Sequence, residues 1–141
     1  MSKVRIELTI EQATALVCAL DAYSRLCIGQ LDVVTRLVGD GTIPMQAPQS
    51  GERFCAQAET IEEIGLYFDK AKEKLGYPRN GINGIGHRHV HVTGHRAWEI
   101  RKVVDRVISL HRDPNPEFRG VNYDGLIVRY TDDPAPQAEV V

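Results

Sequence analysis

The chain predicts an α+β fold, in which a long N-terminal helix and two further helices pack with a small antiparallel β-sheet. Three observations carry this. Apolar residues recur at spacings of three and four over residues 9–38, over a stretch that ends at Leu75, and over residues 93–111. Two runs rich in strand formers, residues 118–123 and 126–131, flank Asp124-Gly125, a dipeptide typical of a type I′ hairpin. Val4-Arg5-Ile6-Glu7-Leu8 alternates apolar and polar side chains, the pattern of a short half-buried strand.

Each element has a local reason. Thr9 is placed to cap the first helix, with Gln12 completing a capping box three residues on. Its stripe runs through Ala13, Leu16, Val17, Leu20, Tyr23, Cys27, Leu31, Val34 and Val38. Gly29 interrupts that stripe, as a kink or as a point of close approach by another group. Residues 39–51, with Gly41, Pro44 and Pro48, read as a polar, mobile connection. The second helix begins either near Glu52 or at Thr60, whose Thr-x-x-Glu63 is a second capping pattern, and stops at Leu75-Gly76-Tyr77-Pro78. Residues 79–87 carry glycine and asparagine suited to tight turns. The third helix buries Trp98, Ile100, Val103, Val104, Val107 and Ile108 before Pro114 and Pro116 end it. One domain covers residues 1–131, and residues 132–141 form an acidic, proline-rich, loose tail.

A single helix over residues 9–38 would run about 43 Å, whereas a compact domain of this length has a radius of gyration of about 14 Å. The expected rod outgrows its own globule, so its apolar flank predicts a homo-oligomer.

Composition narrows the partners. With 141 residues, 43% of them hydrophobic, the chain can bury a modest core. A net charge of −2 leaves no basic footprint for duplex nucleic acid. Small anions remain open, since a pocket needs only a few arginines. Cys18, Cys27 and Cys55 have no CxxC spacing, and the first two fall within a helical pattern, which points to a reducing compartment. No apolar run approaches the ~18 residues of a membrane span, and the N-terminal residues lack a signal-peptide core. The expectation is a soluble, cytoplasmic protein without a membrane partner.

Catalytic motifs are sparse. His87, His89 and His91 would share one strand face, with His95 returning from the next helix, and neutral imidazoles suit zinc. That would support a metal-assisted phosphodiesterase or nuclease. However, the run holds no carboxylate, and Arg88 and Arg96 repel a cation, so the histidines read more simply as loop residues and no metal site is assigned. There is no nucleophile elbow and no cysteine in a plainly electropositive loop. Residues 81–86 match neither a P-loop nor a dinucleotide fingerprint, although their amides could form an anion nest. No catalytic residue and no cofactor is assigned.

Arginines, amides and a ring remain: Tyr23, Arg25 and Gln30 on the first helix, and Arg119, Asn122 and Arg129 in or beside the C-terminal hairpin. Each read singly is an ordinary surface residue. Together they fit binding of a phosphorylated nucleotide, with guanidinium forks on phosphate, an aromatic ring on the base and amides on its edges. A third reading, a helical protein-interaction adaptor, would use the long helix instead.

The run Leu20-Asp21-Ala22-Tyr23-Ser24-Arg25-Leu26-Cys27-Ile28-Gly29-Gln30-Leu31 resembles a pattern of small phage proteins. So does the order of parts after it: the Asn83-Gly84-Ile85-Gly86 loop, the helix carrying Trp98-Glu99-Ile100 and then Lys102-Val103-Val104, and a hairpin with Arg129-Tyr130 ahead of Pro134. Over residues 4–131 the chain is similar to the phage anti-Thoeris family, the first Thoeris anti-defence proteins. Cys27 and Ile28 depart from the family pattern. The resemblance implies a phage anti-defence protein, acting in the cytoplasm of an infected bacterial host. Such a protein sequesters cyclic ADP-ribose isomers made by TIR-domain proteins without cleaving them. Some members also hold cyclic trinucleotides of CBASS-type defence at separate sites, and dimers assemble to a hexamer. It further implies a ligand placed where the Tyr23–Arg25–Gln30 stretch meets the Arg129 hairpin across two subunits, with Trp98 as either core or base platform.

Overall fold

A computed structural model describes residues 2–78 and 80–141. The elements in chain order are α1 (Ile10–Cys27), α2 (Asp32–Gly39), β1 (Met45–Gln46), β2 (Arg53–Phe54), α3 (Ala58–Lys74) and α4 (Val92–Arg112), followed by a 3-10 turn at Val121–Tyr123. The fold is α-rich with one small antiparallel sheet, in which Met45 faces Phe54 and Gln46 faces Arg53. The chain divides into two units, one holding residues 2–24 with Ile85–Val141 and the other Arg25–Gly84.

The expected single helix over residues 9–38 is two helices. Thr9 caps the first as its sequence predicts: the Gln12 amide N–H donates to its Oγ1 at 3.2 Å, and its own N–H donates to Gln12 Oε1 at 2.9 Å. The break comes at Gly29, whose φ of +84° is left-handed. There the Gln30 N–H bonds to the Arg25 carbonyl and the Gly29 N–H to the Leu26 carbonyl, both at 3.0 Å. That pair of bonds is a Schellman motif, and it terminates α1. At 18 residues, α1 is about 27 Å long, so the length argument for an oligomer does not carry over.

In the second unit α3 ends the same way. Tyr77 N–H reaches the Lys72 carbonyl and Gly76 N–H the Glu73 carbonyl, with Gly76 at φ +85°. The Tyr77 ring lies directly against Gly29, so close that a Cβ there would stand 2.5 Å from Cε1. Both readings of Gly29 hold: it turns the chain, and it makes room. α2 packs on α3, with Thr35 over Gly65 and Ile61 over Gly39, and Ile28, Val33 and Val38 are buried. α3 starts at Ala58, between the two expected positions, with Gln57 as an extended N-cap. The sheet lies within residues 45–54, a stretch expected to be mostly loop, where Ala47 and Glu52 close a hairpin.

The first unit is organised by α4. α1 runs antiparallel to it, tied by Arg112 to Thr14 Oγ1 at 2.8 Å, by Arg101 to Asp21 at 3.5 Å and by the Tyr23 hydroxyl to Thr93 Oγ1 at 2.9 Å. Val90, Ala97 and Ile108 are buried in this unit. The expected C-terminal hairpin is absent among the described residues, and residues 4–8 form no strand. Asp124 has φ −69°, so Asp124-Gly125 cannot be a type I′ turn, which needs positive φ at both positions.

One polar face of α4 explains the missing hairpin. Glu99 accepts the Tyr130 and Thr131 N–H groups on Oε1, at 2.7 and 2.9 Å, and the Thr131 hydroxyl on Oε2 at 2.9 Å. Lys102 donates to the Val121 carbonyl at 2.7 Å, and Asn122 donates to Ser109 Oγ at 2.7 Å. Glu99, Lys102, Arg106 and Ser109 lie three or four residues apart, on one side of a helix. Of these, Glu99 and Lys102 take up backbone groups that a strand partner would otherwise have used. The Arg106 side chain crosses the buried Gly125, within 2.7 Å of where a Cβ would stand.

Candidate ligand pocket

The two helix stops of the second unit converge on a polar pocket of about 320 Å³ lined by Gln30, Asp32, Asp69, Lys72, Asn80 and Ile82. Gln30 stands at the Schellman end of α1, and its Oε1 accepts a bond from Arg25 Nη1 at 3.0 Å. Asp32 opens α2, where a negative charge suits the helix macrodipole. Asp69 and Lys72 are neighbours one turn apart on α3. Lys72 is only 4% exposed. The loop after Pro78 returns to the end of α1 through the Asn83 N–H, which bonds to the Ile28 carbonyl at 3.0 Å and brings Asn80 and Ile82 to the rim.

Chemically the pocket offers one buried ammonium, two carboxylates, two amides and an apolar wall. An ammonium suits a phosphate or carboxylate, carboxylates accept hydrogen bonds from hydroxyls, and amides read the edges of a heterocycle. Its size lies at the lower end of small-molecule sites.

No protein-family model, curated protein or solved structure matches this chain. The chemistry of the pocket rests on its own residues.

Of the six residues expected to bind ligand, Arg25 and Gln30 are brought into contact at this pocket. Tyr23, Arg119, Asn122 and Arg129 belong to the other unit. There Tyr23 engages Thr93, Asn122 is held by Ser109, and Arg129 donates to the Thr131 carbonyl at 3.4 Å. Arg119 is exposed. Trp98 packs in the first unit with its ring 5.2 Å from that of Tyr130. Sequence reasoning missed Asp32, Asp69, Lys72, Asn80 and Ile82. One signal pointed to Lys72: it continues the Ile64–Phe68 stripe of α3 at a spacing of four, where a charge is out of place.

The histidines are each locally engaged. His91 is the N-cap of α4, accepting the Thr93 N–H at 3.3 Å, and His89 N–H donates to His87 Nδ1 at 3.2 Å. His95 is buried with Nε2 2.7 Å from the Ile85 carbonyl, and its ring packs 5.4 Å from Tyr130. Among the described residues no group of three His, Cys, Asp or Glu is arranged to hold a metal ion. Among the same residues no helix is long and apolar enough to cross a membrane.

A smaller cleft of about 180 Å³ lies in the first unit between Arg96, Glu99, Ile100, Asp133, Pro134 and Pro136. Arg96 closes it against Asp133 with a two-pronged ion pair at 2.5 and 3.1 Å. That bond holds the Asp133 carboxyl below the usual carboxylate range. The segment expected to be a loose tail thus has a defined anchor at its start.

Proposed function

We propose that this protein captures a small anionic, hydroxyl-bearing molecule of the nucleotide class and holds it without cleaving it. The observation that carries the reading is the buried Lys72 in a pocket otherwise made of carboxylates and amides, with Gln30 steadied by Arg25. An interior ammonium beside hydrogen-bonding groups suits a phosphorylated ribose. The resemblance to the anti-Thoeris family narrows the ligand to cyclic ADP-ribose isomers from TIR-domain proteins, with cyclic trinucleotides as a second class. It also supplies the phage anti-defence role and assembly of dimers into a hexamer.

Native mass spectrometry with cyclic ADP-ribose isomers and cyclic trinucleotides tests this directly. The expected result is a stable complex that releases ligand of unchanged mass on denaturation. Lys72→Met and Arg25→Ala each weaken capture by about 2 kcal/mol, or roughly thirtyfold. Unchanged affinity in both folded variants would overturn the pocket assignment, and a ligand of altered mass would overturn simple capture.

A further inference from the structure

The chain has four asparagines, Asn80, Asn83, Asn115 and Asn122. Each carries the carboxamide that spontaneous deamidation consumes, through attack by the main-chain nitrogen of the next residue. That route is closed or hindered at three of them. Pro116 follows Asn115, and a proline nitrogen has no proton to lose. The Asn122 carboxamide is held by Ser109 Oγ at 2.7 Å, and the Tyr123 N–H behind it donates to the Gly120 carbonyl at 3.0 Å. Asn80 precedes Gly81, whose N–H donates to the Pro78 carbonyl at 2.9 Å. That turn is tight: a Cβ on Gly81 would stand 2.8 Å from the proline ring. Asn83-Gly84 is different. It lies outside every helix and strand, and among the described residues neither the Asn83 carboxamide nor the Gly84 N–H has a hydrogen-bond partner. Nothing stands within 4 Å of where a Gly84 Cβ would be, so the attacking nitrogen is unshielded. The Asn83 N–H is tied to the Ile28 carbonyl at 3.0 Å, which fixes the residue's main chain while its side chain stays free.

We propose that Asn83 is a deamidation site, converting to aspartate and isoaspartate with water as the only co-reactant. The Gly84 N–H gives its proton to water, and its nitrogen forms a bond to Asn83 Cγ. The Cγ–Nδ2 bond breaks, the nitrogen leaves as ammonia with a proton from water, and a succinimide ring remains. Water then opens one of the two ring C–N bonds. Opening at Cγ gives aspartate with an ordinary main chain, and opening at the main-chain carbonyl carbon gives isoaspartate, with the chain running through Cβ and Cγ. Nothing is oxidised or reduced. Either product adds one carboxylate, which takes the net charge from −2 to −3. The isoaspartyl product also adds one carbon to the main chain beside Gly84, the last residue of the second unit. The conversion needs no ligand, so it is independent of the pocket reading.

The test incubates the full chain in mildly alkaline buffer, folded and in urea. Trypsin releases residues 80–88 as one peptide, so fragment masses read Asn80 and Asn83 side by side. In the folded chain Asn83 should convert about tenfold faster than Asn80, the scale of one hydrogen bond held on the attacking N–H. In urea the gap should close, because the Pro78–Gly81 turn is gone. An isoaspartyl methyltransferase should label the Asn83 product, and isoelectric focusing should show an acidic band that grows with time. Gly84→Ala fits the open space and should slow conversion by shielding the nitrogen. Asn83→Gln, with helix content unchanged by circular dichroism, should abolish the acidic band. No conversion at Asn83, folded-state conversion at Asn80 as fast as at Asn83, an unchanged gap in urea, or an acidic band that persists in folded Asn83→Gln overturns the assignment.

Discussion

Glu99 is 2% exposed, and one of its oxygens holds two consecutive backbone N–H groups while the other holds a hydroxyl. Replacing Glu99 with alanine strips all three bonds. The Thr131 hydroxyl can rotate to another acceptor, but the two amides cannot. Each donor left unsatisfied away from water costs roughly 1–3 kcal/mol, so Glu99→Ala should lose about 3–5 kcal/mol. The loss is capped if residues 126–136 release from α4 and hydrate instead. Glu99→Gln separates charge from geometry. Its carbonyl oxygen can still accept both N–H groups, and its amide can donate to the threonine oxygen, so its cost should be about 1–1.5 kcal/mol. Urea denaturation gives the energies, and hydrogen exchange at Tyr130 and Thr131 shows whether protection is lost there first. A Glu99→Ala stability within about 0.5 kcal/mol of wild type, with both amides still protected, would refute the role of α4 as the clamp.

Two further perturbations probe the helix stop and the ion pair. Gly29→Ala should cost about 2–4 kcal/mol, since a left-handed backbone and the Tyr77 ring both reject the new methyl group. Gly76→Ala is the control: its φ is nearly the same, but nothing lies within 4 Å. It should cost only about 1 kcal/mol, and equal losses at both sites would remove the ring from the explanation. The anchor at Asp133 should fail in acid. Its carboxyl titrates below the usual range in the folded chain, so its contribution is fully present above the ordinary carboxylate value of about 4 and fades as pH falls past the folded value. The Arg96 guanidinium N–H resonance followed by NMR should move toward its free position in that window for wild type, and Asp133→Asn should abolish this pH dependence.

Elements whose causes are local are legible in the linear order of residues. The Thr9–Gln12 box, the glycine-proline stop after Leu75 and the start of α4 near Thr93 each depend on residues within one turn of one another. The apolar stripe that continues past Gly29 misleads, because periodicity records which faces are apolar and does not record where the axis bends. Gly29 stands out in the sequence, yet its consequence depends on Tyr77, far along the chain, coming to rest against it. The pocket is half visible. Arg25 and Gln30 are legible as a pair on one helix, whereas Lys72 joins them only once two helix ends have met.

The C-terminal run shows the same division most sharply. Its residues favour strands, and Asp124-Gly125 favours a turn, so short-range preference alone builds a hairpin. In the folded chain Lys102 and Glu99 claim Val121, Tyr130 and Thr131, groups 19 to 32 residues away. Helices and their caps are satisfied by near neighbours, so the linear order of residues dictates them. Where a backbone amide of an irregular segment finds its acceptor depends on which distant side chain packing delivers to it, and that is decided only when α4 presents its polar face.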